Sequence, residues 1–183
     1  MKRDRIKKVI ENLIEEYSVD DLNVRVICER AEISKQTLYN NYFGILGAVD
    51  RIVEDYVRDA SADHIADLDW IQIIRSLLDM LVLKKNFFQH LYFSKYSQEV
   101  MNSIARALKP VVEEMVANCE TQDIKPNDKS KRVLVYFYLD TYMGIIERFI
   151  RNQMKDDPDE IARIYEEIFK DHSTRTILRE MSV

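Results

Sequence analysis

Residues that bend a chain are the scarcest in this 183-residue sequence, which holds three glycines and three prolines in all. Sheet proteins and nucleotide-binding α/β folds place such residues at most of their tight connections. So few of them point to long helices joined by short polar breaks. The apolar residues agree. Positions 6, 9, 10, 13, 14 and 17 follow i, i+3, i+4 spacing and predict an amphipathic helix over about residues 3–17. After "SVDDLN", Val24, Ile27, Cys28 and Ala31 repeat the spacing over two turns, with Asn23 placed to cap them. Ser34 can cap a third short helix, and Ile45, Leu46, Val49, Ile52, Val53, Tyr56 and Val57 mark a longer one to about residue 62.

The remainder is richer in apolar residues. "WIQIIRSLLDMLVL" (70–83) reads as a core helix and "NFFQHLYF" (86–93) as a short aromatic one. Residues 97–118 form another, in which Pro110 predicts a kink or break near Leu108–Lys109. A polar loop follows over 119–132. "VLVYFYL" has the look of a buried strand, but it runs into "DTYMGIIERFIRNQM" without a turn signal, so length favours a helix of about 20 residues. Asp157, Pro158 and Glu160 supply N-cap, first-turn proline and capping box for the last helix. The expected fold class is all-α: a three-helix N-terminal unit over residues 1–48, a connecting helix over about 45–62, and a helical bundle over 49–183.

Charge narrows the partners. Residues 1–49 hold eight lysines and arginines against eight acids, and the rest holds 19 against 24, so the deficit lies in the bundle. Five of the first eight residues are basic. A neutral unit with a basic tip can bind a polyanion that the acidic bundle would repel. Cys28 and Cys119 share no motif spacing, the start lacks a signal-peptide core, and no apolar run approaches the ~20 residues of a membrane helix. A cytoplasmic protein without membrane contact is expected. His64, His90 and His172 share no ligand spacing, and a Gly-rich phosphate loop and a nucleophile elbow are missing. The sequence therefore predicts no metal, no cofactor, no catalytic residues and no enzyme.

Residues 23–43 carry the function. A two-turn helix, a break at Glu32–Ser34 and a second short helix make a helix-turn-helix. On the second helix Leu38 and Tyr42 share one face, and Gln36 and Asn40 share the opposite one. If Leu38 and Tyr42 pack inward on Ile27, Ala31 and Ile33, Gln36 and Asn40 point outward, as a helix laid in the major groove requires. Gln and Asn can bond adenine through N6 and N7. Thr37 suits a phosphate or a thymine methyl, and Asn23, Lys35 and Tyr39 suit phosphate oxygens. Arg25 at the start of the preceding helix, Ser34 and Asn41 complete the DNA-binding set. The basic start, "MKRDRIKK", is expected to act as an arm along the backbone or in the minor groove.

"LNVRVICERAEISKQTLYNNYFGILGAV" resembles the N-terminal domain of the tetracycline-repressor (TetR) family of bacterial transcriptional regulators. In that family a helix begun by Thr is followed by an Ala-Gly-Val-Ser turn and a Leu-Tyr-x-x-Phe segment. The matching residues here are Asn23, Ile27, Ala31, Ile33, Ser34, Thr37, Leu38, Tyr39 and Tyr42, within a likeness over about residues 5–57. "QTLYNNY" and the apolar, aromatic second half are also similar to the branch that regulates dihydroxyacetone kinase operons. Two positions depart from the family pattern. Glu32 stands at the turn glycine, and Ile45 stands where a phosphate-binding lysine is common. A missing phosphate contact in a neutral domain predicts modest affinity and a shallow salt dependence.

The resemblance implies a homodimer on a double-stranded DNA operator, controlled by an unidentified small-molecule effector. It places the dimer interface on the last two long helices, near 131–153 and 158–171. "VLVYFYLDTYMGIIERFI" agrees, being apolar on more faces than one neighbour covers, and Gly144 within it would allow close helix approach. Ligand-binding candidates are polar groups on apolar helices: His90, Tyr92, Tyr96, Arg106, Tyr136, Asp140 and Tyr142. Two other classes stay open: a co-regulator that binds protein rather than DNA, and an all-α enzyme or small-molecule binding protein.

Overall fold

Side-chain caps punctuate this chain where glycine and proline are missing. The computed structural model describes residues 2–62, 70–118 and 125–169. Helix α1 spans Lys2–Glu16, and after a 3-10 turn at Val19–Asp21 come α2 (Val24–Ala31), α3 (Lys35–Tyr42) and α4 (Ile45–Ser61). The bundle follows with α5 (Trp70–Leu83), α6 (Lys85–Tyr92), α7 (Ser97–Asn118), α8 (Asp128–Arg151) and α9 (Pro158–Phe169). Among the described residues every regular element is helical. Asn23, Ser34 and Asn127 each accept from a backbone N–H three residues on, at 3.0, 3.1 and 3.0 Å. Asp157 accepts from Asp159 N–H at 3.0 Å. Each bond satisfies one of the donors a helix start leaves open.

Two boundaries differ from the sequence reading. α7 runs through Pro110 without a break. Proline inside a helix costs about 3 kcal/mol. Leu108, Val111, Val112 and Met115 are buried around it, and each such side chain contributes roughly 1.5–3 kcal/mol, so the packed face holds the helix. α8 starts at Asp128, inside the stretch expected to be loop, because Asn127 caps it. Residues 119–124, with Cys119, and also His64, His172 and the predicted end of the last helix at 170–171, lie outside the described residues.

One continuous apolar core joins the two ends of the molecule. Ile6, Ile10, Leu13 and Ile14 of α1 lie in it with Ile27, Leu38 and Tyr42, and α4 reaches from this group to α5 and α7. In the bundle Trp70 meets Tyr138, Tyr142 and Tyr165 at ring distances of 5.7, 6.4 and 6.4 Å. α1 is fastened to α6 by polar contacts as well as by packing. Glu11 accepts from Tyr56 and from Lys84, the latter at 2.7 Å, and His90 Nδ1 donates to the Ile14 carbonyl at 2.6 Å. No described helix is long and apolar enough to cross a membrane.

Candidate nucleic-acid interface

The turn between α2 and α3 is set by Glu32, whose backbone is left-handed (φ 53°, ψ 49°). Its N–H closes onto the Cys28 and Glu29 carbonyls, and Ile33 N–H reaches the Cys28 carbonyl at 3.0 Å. The chain thus makes at a glutamate the turn that glycine makes most cheaply. The Glu32 carboxylate then holds Arg5 at 2.7 Å. Ser34 returns the backbone to extended and begins α3, bonding both the Thr37 N–H and, at 2.9 Å, the Thr37 hydroxyl.

On α3 the facing follows the periodicity. Leu38 is fully buried and Tyr42 nearly so, whereas Lys35, Gln36, Tyr39 and Asn40 are exposed. Thr37 and Asn41 are half-buried, and the Asn41 amide donates to the Thr37 carbonyl at 2.7 Å. Asn23 spends its side-chain oxygen on the α2 cap. Arg25 pairs with Glu29 at 2.7 Å, and that contact raises its pKa above the ordinary arginine value.

The basic start is not an arm. Residues from Lys2 onward are already α1, because the apolar spacing that begins at Ile6 extends the helix back over them. Lys7 pairs with Asp55, Arg30 with Glu16 at 3.6 Å, and Arg5 with Glu32. Among the described side chains of this region, Lys8 and Lys35 alone of the lysines and arginines lack an acidic partner. Ile45 is half-buried and packs against the core. The surface therefore offers hydrogen-bonding groups more than net positive charge.

Sequence reading passed over Phe43. It follows α3 in a left-handed conformation (φ 56°) and is 91% exposed. The available signal was its position: a large apolar residue directly before Gly44, where the short polar helix ends.

The seven ligand candidates are distributed over several surfaces. His90 is engaged with Ile14, and Tyr92 donates to Glu147 at 3.3 Å. Arg106 donates to Asp50 at 2.8 Å and borders a cleft between α4 and α7, whereas Tyr136 borders a ≈ 370 Å³ cleft between α7 and α8. Asp140 is exposed on α8. Buried Tyr142 donates to the Trp70 carbonyl at 3.1 Å, and Tyr96 lies beneath the Lys95 ammonium. Among the described residues no His, Cys, Asp and Glu gather as a metal site.

A family model described as a transcriptional regulator C-terminal region, of the TetR type, matches residues 69–171. Among solved structures, the dihydroxyacetone kinase operon activator DhaS is similar over 94% of this chain and 96% of its own, at 15% identity and a TM-score of 0.68. That likeness concerns the fold. NalD of Pseudomonas aeruginosa, the secondary repressor of the MexAB-OprM multidrug efflux pump, aligns over 93% of this chain and 94% of its own at 17% identity, with a TM-score of 0.45. No curated protein matches.

Proposed function

The chain belongs to the TetR family of transcriptional regulators, and from that premise we propose a homodimer whose α2–α3 unit reads an operator under the control of a small-molecule effector. Residues 1–48 form the reading head, α4 connects, and residues 49–183 hold the dimer and effector surfaces. The observation that carries this is the two-sided α3: Leu38 and Tyr42 buried, Gln36 and Asn40 outward on the opposite face. Gln36 and Asn40 read base edges; Lys35 and Tyr39 take backbone contacts beside them, with Ser34 and Thr37 setting the start of the helix. Asn23, Arg25 and Asn41 serve more as positioning groups, given the bonds each already makes. For the effector, the cleft at Tyr136 is the best supported of the candidate positions. Lys131 and Arg132 line it with Asp128 and the Lys109–Glu113 ion pair of 3.8 Å, so it offers a small molecule polar groups of both signs.

The test is titration of DNA from beside the protein's own gene at two salt concentrations. Gln36→Ala and Asn40→Ala should each lose about 1–3 kcal/mol of sequence discrimination while keeping non-specific binding. Full sequence preference in both variants would overturn the facing of α3. The co-regulator reading keeps one supporting observation, the neutralised basic residues around Glu32, and a folded dimer that binds no DNA at low salt would favour it.

A further inference from the structure

Phe43 combines two unfavourable features at one residue. Its ring is the most exposed of the large hydrophobic side chains among the described residues, and its backbone is left-handed, where a side chain meets steric resistance. The fold does not require a phenylalanine for its own packing there, since the neighbouring core position is taken by Tyr42. Its place at the end of α3 says where the ring stands. Phe43 caps the C-terminus of α3, directly after the helix that carries the two amides, and borders the same groove as Tyr39 of that helix. Just beyond it Gly44 carries no side chain, and Ile45 is a half-buried apolar residue, so no cation follows at this edge.

We propose that Phe43 is a further DNA-contact residue, an apolar end to the reading face that packs on deoxyribose and thymine methyl groups at the rim of the major groove. The proposal rests on the DNA-binding reading above. Thymine methyls and sugar edges are the apolar surfaces a duplex presents at that depth. A ring there adds affinity by excluding water, without releasing counterions, which suits a head with few available cations. An alternative occupant exists: a shallow groove of ≈ 280 Å³ beside the ring, lined by Val19, Leu22, Tyr39, Ile45 and Tyr96, has room for a protein segment.

The experiment compares wild type with Phe43→Ala, Phe43→Gly and Phe43→Lys. Each binds the intergenic fragment upstream of the protein's own gene and an unrelated fragment of equal length, over a salt series. Phe43→Gly removes the ring while relieving the left-handed backbone, so a loss of binding there is not a folding defect; circular dichroism checks both. The expected result is an affinity loss of about ten- to hundredfold for the Ala and Gly variants, the worth of one buried ring, with the salt slope unchanged. Phe43→Lys should regain affinity at low salt with a slope steeper by about 0.9. Wild-type affinity in the Ala and Gly variants overturns this inference and leaves the DNA reading standing. So does a changed oligomeric state in sedimentation with DNA binding intact, which assigns the ring to a protein contact. Failure of wild type to bind either fragment at low salt overturns both.

Discussion

Gly47 sits in the first turn of α4, where a Cβ would come within 1.7 Å of the Tyr42 carbonyl oxygen. That oxygen is backbone at the end of α3, so it moves only if the helix moves. Gly44, at φ 109°, has the Tyr39 ring 3.4 Å from where its Cβ would be. "FGILG", which looks weak for DNA contact, is thus a steric joint that brings α4 close under the reading helix. Gly47→Ala should destabilise the protein by about 1–3 kcal/mol, the usual cost of overpacking, and should tilt α3. Urea melts followed by circular dichroism measure the first effect; a melt coinciding with wild type would show that α3 gives way freely. Glu32 illustrates the opposite case. Its left-handed backbone is kept although glycine would be easier, and its carboxylate holds Arg5, so one substitution alters both the turn and the charge available to a polyanion.

At the level of elements, α1 is fastened along its length to three others. Arg5 reaches Glu32, Lys7 reaches Asp55 on α4, Glu11 takes Tyr56 and Lys84, and the Ile14 carbonyl takes His90. Burial alone would raise the Glu11 carboxyl, but the bonds from Lys84 and Tyr56 outweigh it and hold the carboxyl below its ordinary value of 4.5. A depressed carboxylate contributes stability above its unfolded value and loses it as the pH falls through the folded one. The stability gap between wild type and Glu11→Gln should therefore be full at neutral pH and close below about 4.5, as read from urea midpoints. A gap independent of pH would mean that the amide replaces the carboxylate in this junction. These fastenings also mark what the sequence did and did not disclose. The helices were legible because period and caps are local, as at Ile6–Ile14, Asn23 and Ser34. The continuous α7 was not, because its Pro110 is outvoted by burial that only the fold supplies. The basic start is helical rather than an arm for the same reason: the partners of Arg5 and Lys7 lie far along the chain. The outward Gln36 and Asn40 were legible from spacing, whereas no periodicity separates a ligand contact from His90 bonding a distant carbonyl.

On the whole molecule, α8 and α9 both leave apolar side chains exposed. Val133, Phe137, Ile164 and Ile168 are exposed, and a groove of ≈ 320 Å³ runs between Phe149 and Ile145 on one helix and Ile161, Ile164 and Ile168 on the other. Gly144 is exposed on the same stripe of α8 as Phe137, Asp140 and Arg148, and a Cβ there meets nothing within the protomer. Two α8 helices crossing antiparallel about a two-fold axis at Gly144 would bring Asp140 of each against Arg148 of the other, since both lie four residues from the centre. Such an isologous contact gives the unoccupied space over Gly144 a use and pairs two exposed charges. It makes a specific prediction. Gly144→Leu should leave the protomer folded, even slightly more helical, because glycine inside a helix costs about 1 kcal/mol relative to alanine. It should nevertheless weaken the dimer at least about tenfold by wedging the crossing apart. Sedimentation at several protein concentrations reads the dimer, and circular dichroism reads the helix. An unchanged dimer would move the interface off this crossing. Because two half-sites are read together only when both heads are held at one spacing, the same variant should also lose operator affinity. Its residual binding should be that of a single head, although the substitution lies nowhere near α3.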